Sequence, residues 1–215
     1  MTGAEGIIRY RLEFTRRPLP KAWRALFPAV NAHRRLAFHL KVIGQDEGRY
    51  GGLAYGNLSV RFQGGFIVTA TQTGGQERLR PEDYCLVESV DLDHFTVWAS
   101  GLRPPSSEAV THAAVYAFAP GVRAVLHGHH PLIWQYGQEL GFGTVPGWIG
   151  HGTPEMARRI AQIVREHPRS GGVVMLGHRD GFLLYAPSLG RLSDLLKKAF
   201  LAIWRLEDRH LPELE

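Results

Sequence analysis

The amino-acid sequence predicts an α/β fold: a single domain whose mainly antiparallel central sheet is flanked by helices. Two observations predict it. Some segments place apolar residues at every second position, as strands do, whereas others repeat them every three or four positions, as helices do. No linker, internal repeat or low-complexity segment divides the 215 residues. We therefore expect one domain over residues 1–215, in which residues 1–28 form an N-terminal extension that holds a strand.

The strands are predicted from alternation and from turn residues. Residues 8–14 alternate apolar and polar side chains, which indicates a half-exposed strand. The turn residues 63–65 join two such runs into a hairpin, and the continuous apolar run 172–176 is typical of a strand covered on both faces. The complete set of predicted strands is 8–14, 57–62, 66–71, 84–90, 95–99, 122–126, 172–176 and 182–186.

Four helices are predicted from apolar spacing and from end signals. The first begins at Pro20, is interrupted by Pro28 and resumes until Gly44. The second covers residues 106–118, the third covers 156–167 after a Thr-Pro cap, and the last is amphipathic from residue 189 to residue 203.

Composition argues against several classes of function. The formal net charge is +5, but no run of Lys and Arg exceeds two residues. Such dispersed charge favours an anionic small molecule over nucleic acid. No apolar stretch approaches the roughly 18 residues that a membrane helix needs. The first ten residues also lack the apolar core of a signal peptide. We therefore expect a cytoplasmic protein that binds neither nucleic acid nor membranes.

A pair of histidines is the first candidate for chemistry. Cys85 is the only cysteine, which excludes an internal disulfide and a cysteine-based zinc cluster, so a metal would be held by histidine and carboxylate. His127 and His129 directly follow the predicted strand 122–126. Because residues i and i+2 point to the same side of an extended chain, the two imidazoles can converge on one ion.

A third histidine occupies a similar place in the next part of the chain. His178 follows the predicted strand 172–176. Neighbouring strands lie about 5 Å apart, so a histidine at the end of one strand can join a pair on the other. His130, His151 and His112 are alternatives. The mid-helix position of His112 favours a core or surface role.

Three turns are rich in glycine, serine, threonine and asparagine. The last of them resembles a helix N-terminus, where hydroxyl groups cap and unpaired N–H groups attract anions. Each turn alone is an ordinary turn or cap, but together they can hold a phosphate through backbone N–H groups. The turns are Gly56-Asn57-Leu58-Ser59, Thr71-Gln72-Thr73-Gly74 and Pro105-Ser106-Ser107-Glu108.

In this order, over residues 29–206, these motifs resemble the class II aldolase/adducin family. The resemblance is carried by Gly56-Asn57-x-Ser59-x-Arg61, the threonine-rich segment 69–74, Pro105-Ser106-Ser107-Glu108 and the strand that ends in His127-x-His129. It implies a three-layer fold and a zinc-dependent lyase that performs retro-aldol or related enediolate chemistry on a small phosphorylated sugar. It also implies a homotetramer with the site at a subunit interface.

The resemblance further implies a role for individual residues. Zinc would be held by His127, His129 and His178, with Glu108 as the fourth ligand at rest and as the acid/base when substrate displaces it. The phosphate would be held by Gly56, Asn57, Thr73 or Thr71, Gly74, Ser106 and Ser107.

Two departures from the family pattern leave alternatives open. Arg179 and Asp180 stand between His178 and Gly181, where the family usually has glycine directly after its third histidine, so Asp180 is an alternative ligand. No motif places the tyrosine that the family takes from a neighbouring subunit. Other activities therefore remain open: an epimerase or dehydratase of the same family, a non-catalytic binding or assembly module, and a metal-dependent hydrolase. Other divalent metals also suit this ligand set.

Overall fold

The computed structural model describes residues 7–208, and eleven strands lie in that range. They are β1 (Arg11–Arg16), β2 (Gly44–Gln45), β3 (Ala54–Tyr55), β4 (Asn57–Phe62), β5 (Gly65–Thr69), β6 (Tyr84–Asp91), β7 (Thr96–Gly101), β8 (Ala124–His129), β9 (Gly143–Val145), β10 (Gly171–Met175) and β11 (Gly181–Ala186). Nine of them form one sheet in the order β1-β7-β6-β5-β4-β8-β11-β10-β9, while β2 and β3 pair separately.

The large sheet is antiparallel except at its two edges. β1 pairs with β7 in parallel, and β9 pairs with β10 in parallel, whereas the neighbours between them run antiparallel. Five helices cover the sheet within the described range: α1 (Trp23–His39), α2 (Ala109–Phe118), α3 (Pro131–Gln135), α4 (Pro154–Glu166) and α5 (Leu189–Asp208). The predicted mixed α/β fold with a central sheet between helices is confirmed.

The sheet separates two apolar clusters. One cluster joins the sheet to α2 and α4, and the other joins it to α1, α3 and α5. Val125 belongs to the first cluster and its neighbour Leu126 to the second, because successive side chains of a strand point to opposite faces. The same alternation places the side chains of His127 and His129 on the face of α2 and α4.

Three local predictions were wrong. The first helix runs through Pro28 without interruption. Proline has no backbone N–H, so Pro28 cannot donate a hydrogen bond to the carbonyl of Arg24. Both residues are exposed, so water can solvate that carbonyl. The strand expected over 122–126 is β8, which extends to His129 because its pairing with β11 continues to that residue, whereas its pairing with β4 ends at His127. The helix expected from residue 106 begins at Ala109.

Some short elements had no sequence prediction. They are β2, β3, β9 and α3, each of two to five residues. Periodicity needs a longer stretch than this to be visible. Within residues 7–208, no helix is both long and apolar enough to cross a membrane.

Candidate metal centre

Three imidazoles meet at one end of the sheet. His127 and His129 lie in β8, and His178 lies in the turn between β10 and β11. One ring nitrogen of each lies within 4.8 Å of the others. All three side chains are buried, with at most 2 % exposure. The structure therefore brings together the three histidines that the sequence singled out, from two separate parts of the chain.

The neighbouring strand orients the ring of His127. Its Nδ1 lies 3.0 Å from the carbonyl oxygen of Phe182, which favours the donor hydrogen on Nδ1 and leaves the lone pair of Nε2 for a metal ion. Nε2 of His127 and Nε2 of His129 are 3.1 Å apart. Two nitrogen ligands of a tetrahedral zinc ion, with bonds of about 2.0–2.1 Å, are separated by roughly 3.3 Å. The set therefore fits zinc or a similar divalent ion.

His129 is neutral, as a metal ligand must be. Burial, reinforced by the neighbouring His178 and His127, holds the pKa of His129 well below its ordinary value. The ring of His178 lies 5.0 Å from that of His127 in a stacked arrangement and 4.6 Å from that of His129, almost perpendicular to it. The three rings thus surround one small volume from different directions.

Glycine at position 128 allows a close approach of two segments behind the cluster. A Cβ there would lie 2.7 Å from the ring of Phe182 and 3.0 Å from the carbonyl oxygen of Val42. The same carbonyl of Val42 accepts a 2.9 Å hydrogen bond from the backbone N–H of His129. The chain before β2 can therefore fix the backbone of His129 only because residue 128 has no side chain.

Glu108 lies beside the histidines. It immediately precedes α2, is 2 % exposed, and its Oε2 accepts a 2.6 Å hydrogen bond from the hydroxyl of Thr111. Burial alone would raise the pKa of Glu108, but attraction to His127 and His178 and the bond from Thr111 outweigh it, so the pKa lies below its ordinary value. Its carboxylate is not part of the 4.8 Å set, which among residues 7–208 consists of the three histidines. Its role as a fourth ligand stays a prediction.

A contact that sequence reasoning missed holds the turn of His178. Asp180 adopts a left-handed backbone conformation, with φ of 60°. Its Oδ2 accepts hydrogen bonds from Arg49 at 2.9 Å and from the hydroxyl of Tyr50 at 2.7 Å. The ring of Tyr50 also contacts that of His129, with centroids 4.6 Å apart. Because Oδ2 of Asp180 is engaged in this way, the geometry favours His178 over Asp180 as the ligand.

No periodicity or motif marks Arg49 and Tyr50, since they lie in an irregular loop between β2 and β3. Only the long-range contact with Asp180 reveals them. The extra residues after His178 therefore have a structural partner in this loop.

His151 is the alternative histidine nearest to the cluster. Its ring stacks on that of His178 with centroids 4.3 Å apart. Its carbonyl oxygen accepts a 3.0 Å hydrogen bond from Arg9, which ties the loop before α4 to the N-terminal segment. His151 is therefore a neighbour of the site.

The other two alternatives have structural surroundings. His112 is fully buried in α2, and its Nδ1 lies 2.6 Å from the hydroxyl oxygen of Ser59. Burial lowers the pKa of His112 to about 3. His130 packs its ring against Phe200 of α5. His112 is thus a core histidine, which is one of the two roles that its mid-helix position favoured.

The first donor-rich turn lies directly beside the histidines. Asn57 is the register partner of His127 across β4 and β8. Gly56 has a φ of 74°, and a Cβ there would lie 2.8 Å from the carbonyl oxygen of Val42. A side chain is excluded at Gly56 on both grounds. Oδ1 of Asn57 is buried, and the described part of the chain offers it no hydrogen-bond partner.

The other two turns pack onto the same end of the sheet. The backbone N–H of Ser106 donates to the carbonyl of Thr69 at 3.2 Å. A Cβ on Gly74 would lie 2.5 Å from the carbonyl oxygen of Tyr55, so only glycine fits beside the residue that precedes the first turn. The three turns therefore meet in space, as the sequence suggested.

Their hydroxyl groups are not equivalent. The hydroxyl of Thr73 donates to the carbonyl of Ala70 at 2.7 Å, so its hydrogen is already engaged. Oγ of Ser106 accepts from the backbone N–H of Glu108 at 3.3 Å, which leaves its own hydrogen for a ligand. Ser107 is half-buried. An anion at this place would receive donors from serine hydroxyls and backbone N–H groups.

Comparison with known proteins gives the class of the fold and site. Residues 46–195 match the family model for the class II aldolase and adducin N-terminal domain. This range contains every residue of the three turns and of the histidine cluster. The chain belongs to the class II aldolase/adducin family.

Individual relatives resemble parts or all of the chain. Methylthioribulose-1-phosphate dehydratase from Methylococcus capsulatus is 37 % identical over 78 residues, a match that spans 35 % of this chain and only 34 % of that enzyme. The crystal structure of L-fuculose-1-phosphate aldolase from Thermus thermophilus superposes with a TM-score of 0.62 at 22 % identity, covering 89 % of this chain and 100 % of that chain. A sugar-phosphate aldolase from Thermotoga maritima gives 0.65 at 13 % identity, covering 87 % and 95 %. At these identities the structural likenesses show the fold.

Proposed function

We propose that the protein is a divalent-metal-dependent lyase, with zinc as the metal, that performs retro-aldol or related enediolate chemistry on a small phosphorylated sugar. The observation that carries the proposal is the convergence of three buried imidazoles beside the buried carboxylate of Glu108. Family membership supports it, since the similar proteins named above are a dehydratase and two aldolases of phosphorylated sugars.

The histidines would hold the ion through three neutral ring nitrogens. A divalent ion bound there would act as a Lewis acid that polarises a substrate carbonyl and stabilises negative charge developing on its oxygen. His127 is kept in the required orientation by its bond to Phe182. The burial of all three rings excludes water from the ligand sphere on the protein side.

Glu108 would transfer the proton. Its Oε2 is held by Thr111, which leaves Oε1 to accept a proton from a substrate hydroxyl or carbon and to return it. The position of Glu108 just before α2 is fixed by the helix itself, since the N–H of His112 donates to the carbonyl of Glu108 at 3.1 Å. A carboxylate held in this way is suited to general acid–base catalysis.

The three turns would bind the phosphate of the substrate. Gly56, Asn57, Gly74 and Ser106 would contribute donors, together with Ser107 and the backbone of Thr73. Asn57 is the register partner of His127 on the neighbouring strand, at a backbone spacing of about 5 Å, so one side of this anion site adjoins the histidine cluster. A small sugar phosphate can span that distance, which places its reacting carbons at the cluster.

Metal analysis tests the first part of the proposal. The purified protein should contain one zinc or similar ion per chain, and His127→Ala should lose it. His94→Gln is the matched control, because His94 is an exposed histidine that pairs with Asp91. If the wild-type protein carries no stoichiometric divalent ion, or if His127→Ala retains it fully, the assigned centre is wrong.

Proton exchange tests the second part. A panel of phosphorylated ketoses in deuterated water should show exchange at the carbon next to the carbonyl. Glu108→Gln should keep the metal and the fold but lose about 10²- to 10⁴-fold in exchange rate. Exchange at the wild-type rate in Glu108→Gln would contradict the assigned role. A protein that holds zinc but acts on no sugar phosphate supports the non-catalytic module instead.

A second candidate is the dehydration of a phosphorylated ketose. The observation that favours it is the 37 % identity with methylthioribulose-1-phosphate dehydratase. Dehydration begins with loss of the proton on the carbon beside the carbonyl, whereas retro-aldol cleavage begins with loss of the proton of the hydroxyl on the carbon after that one. Both pass through an enolate-type intermediate, and their products separate them. Retro-aldol cleavage divides the carbon chain into two carbonyl fragments, whereas dehydration leaves the chain whole and releases water. Mass spectrometry of the products distinguishes the two.

A further inference from the structure

Arg34 is a fully buried arginine that binds the loop of residues 73–77. It lies in α1 and has 0 % exposure. One terminal nitrogen donates to the carbonyls of Thr73 at 3.0 Å and Gly74 at 2.8 Å. The other donates to the carbonyls of Gln76 and Glu77, the latter at 3.0 Å. Four backbone carbonyls of one short loop are thus turned towards a single guanidinium.

Within residues 7–208, no carboxylate forms a direct ion pair with Arg34, although the charge of Glu77 attracts it. The acidic residue of this loop, Glu77, pairs instead with Arg35 and His39. The guanidinium packs over the ring of Phe38, 5.2 Å from its centroid. Burial lowers the pKa of Arg34 to about 10, so the group stays charged at neutral pH. A buried cation without a direct ion-pair partner is costly, and a further anion nearby would reduce that cost.

The geometry of the peptide bond decides where the loop presents its donors. In a planar trans peptide the C=O of one residue and the N–H of the next point in opposite directions. Because the carbonyls of Thr73 and Gly74 point towards Arg34, the N–H groups of Gly74 and Gly75 point away from it. Neither N–H donates to an acceptor within the described residues. The segment that carries these donors packs against Tyr55, which is the residue directly before Gly56 in the sequence.

We propose that Arg34 is a positioning residue of an anion subsite. It keeps the loop carbonyls on its own side, and it thereby presents the N–H groups of Gly74 and Gly75, with a buried positive charge behind them, to the phosphate of the substrate. This inference rests on the proposed function, which supplies the phosphorylated ligand. Arg34 does not touch the ligand itself, so its effect is on affinity for the anion and not on the histidine cluster.

Two variants separate charge from geometry. Arg34→Met removes both the cation and the four hydrogen bonds. Arg34→Lys keeps a cation, but one ammonium has three donors and cannot bind all four carbonyls in the planar arrangement of a guanidinium. Arg35→Met is the matched control, since it also removes a cation. Arg35 is the next residue of the helix, and it contacts the same loop only through the side chain of Glu77.

The experiment is calorimetric titration of inorganic phosphate into the metal-loaded protein, with zinc content measured on the same samples. We expect the phosphate Kd to rise about tenfold or more in Arg34→Met, which corresponds to the loss of one hydrogen bond between a backbone N–H of the loop and the charged phosphate. Arg34→Lys should lie between Arg34→Met and wild type, and Arg35→Met should match wild type. Zinc content should be unchanged in all of them. In turnover assays KM should rise while kcat stays the same.

Several results would overturn the inference. The first is a folded Arg34→Met that binds phosphate as tightly as the wild type, and the second is a wild-type protein that does not bind phosphate. The third is an Arg34→Lys variant that loses phosphate affinity and zinc content equally, which would indicate a general structural role. If Arg34→Met does not fold, Arg34→Lys decides, and wild-type affinity in that variant contradicts the inference. Failure of the lyase proposal looks different, since a protein without turnover can still bind phosphate in a manner that depends on Arg34.

Discussion

The hydroxyl of Tyr50 donates a 2.7 Å hydrogen bond to Oδ2 of Asp180, across 130 positions of the sequence. This bond joins the loop between β2 and β3 to the turn that carries His178. Since the ring of Tyr50 also lies against His129, one side chain contacts both His129 and the turn that carries His178. The geometry of the histidine cluster therefore depends on a contact outside the predicted ligand set.

Removal of that contact should weaken metal binding. In Asp180→Ala the turn loses its bonds to Arg49 and Tyr50 and gains a residue less suited to a positive φ. We expect zinc affinity to fall about 10- to 100-fold, as is typical for partners of metal ligands. Asp180→Asn tolerates the left-handed conformation and can accept one of the bonds, so its loss should be smaller. Competition with a chelator measures the zinc affinity of both variants. A zinc affinity in Asp180→Ala equal to that of the wild type would contradict this role.

The close packing behind β8 predicts that a methyl group added at Gly128 destabilises the fold. Gly128→Ala places a Cβ 2.7 Å from the ring of Phe182 and 3.0 Å from the carbonyl of Val42. We expect a loss of about 1–3 kcal/mol in the free energy of unfolding, as for other overpacked sites. Gly121→Ala is the control, because nothing lies within 4 Å of its Cβ. Urea unfolding compares the two, and equal stability would show that the chain around Gly128 yields freely.

The buried His112 predicts a pH dependence of stability. Burial lowers its pKa from 6.5 to about 3, so the folded protein keeps the ring neutral while the unfolded chain protonates it. The unfolded state therefore binds more protons between these values, and the free energy of unfolding falls as pH drops below 6.5, by up to about 1.4 kcal/mol per pH unit. The full contribution is present above pH 6.5.

The comparison with His112→Gln isolates this contribution. Urea unfolding at pH 7.5 and pH 5.5, with a chelator present so that metal release plays no part, should show a smaller loss in the variant than in the wild type. Identical losses would mean that His112 does not titrate between the two states as its burial requires.

The homotetramer that the family resemblance implies stays a prediction, and an exposed tryptophan offers a way to test it. The side chain of Trp148 is 83 % exposed and lies three residues before His151. We expect native mass spectrometry to show a tetramer and Trp148→Asp to shift it to smaller species. A wild-type monomer would contradict the predicted assembly.

The sequence reveals most of the fold because long elements carry a clear period. The strand β4 and the helices α4 and α5 show such a period, whereas β10 and β11 are visible as continuous apolar runs bounded by turn residues. The helix α1 differs at Pro28, since exposure of the neighbouring carbonyl to water is a property of the folded surface and not of the local pattern.

The candidate site divides in the same way. His127, His129, His178 and Glu108 could be found because strand ends and a motif order mark them. Arg49, Tyr50 and Arg34 could not, since their importance depends on partners 39 or more positions away. A single arginine in an amphipathic helix is ordinarily exposed, and only the structure shows that Arg34 is buried under the 73–77 loop.

The most direct test of the account is a crystal structure of the zinc-loaded protein with anomalous diffraction recorded at the zinc edge. The account predicts one peak per chain, bonded to a ring nitrogen of His127, His129 and His178 at about 2.0–2.1 Å. A peak bound elsewhere, or fully loaded protein with no peak between these three rings, would contradict it.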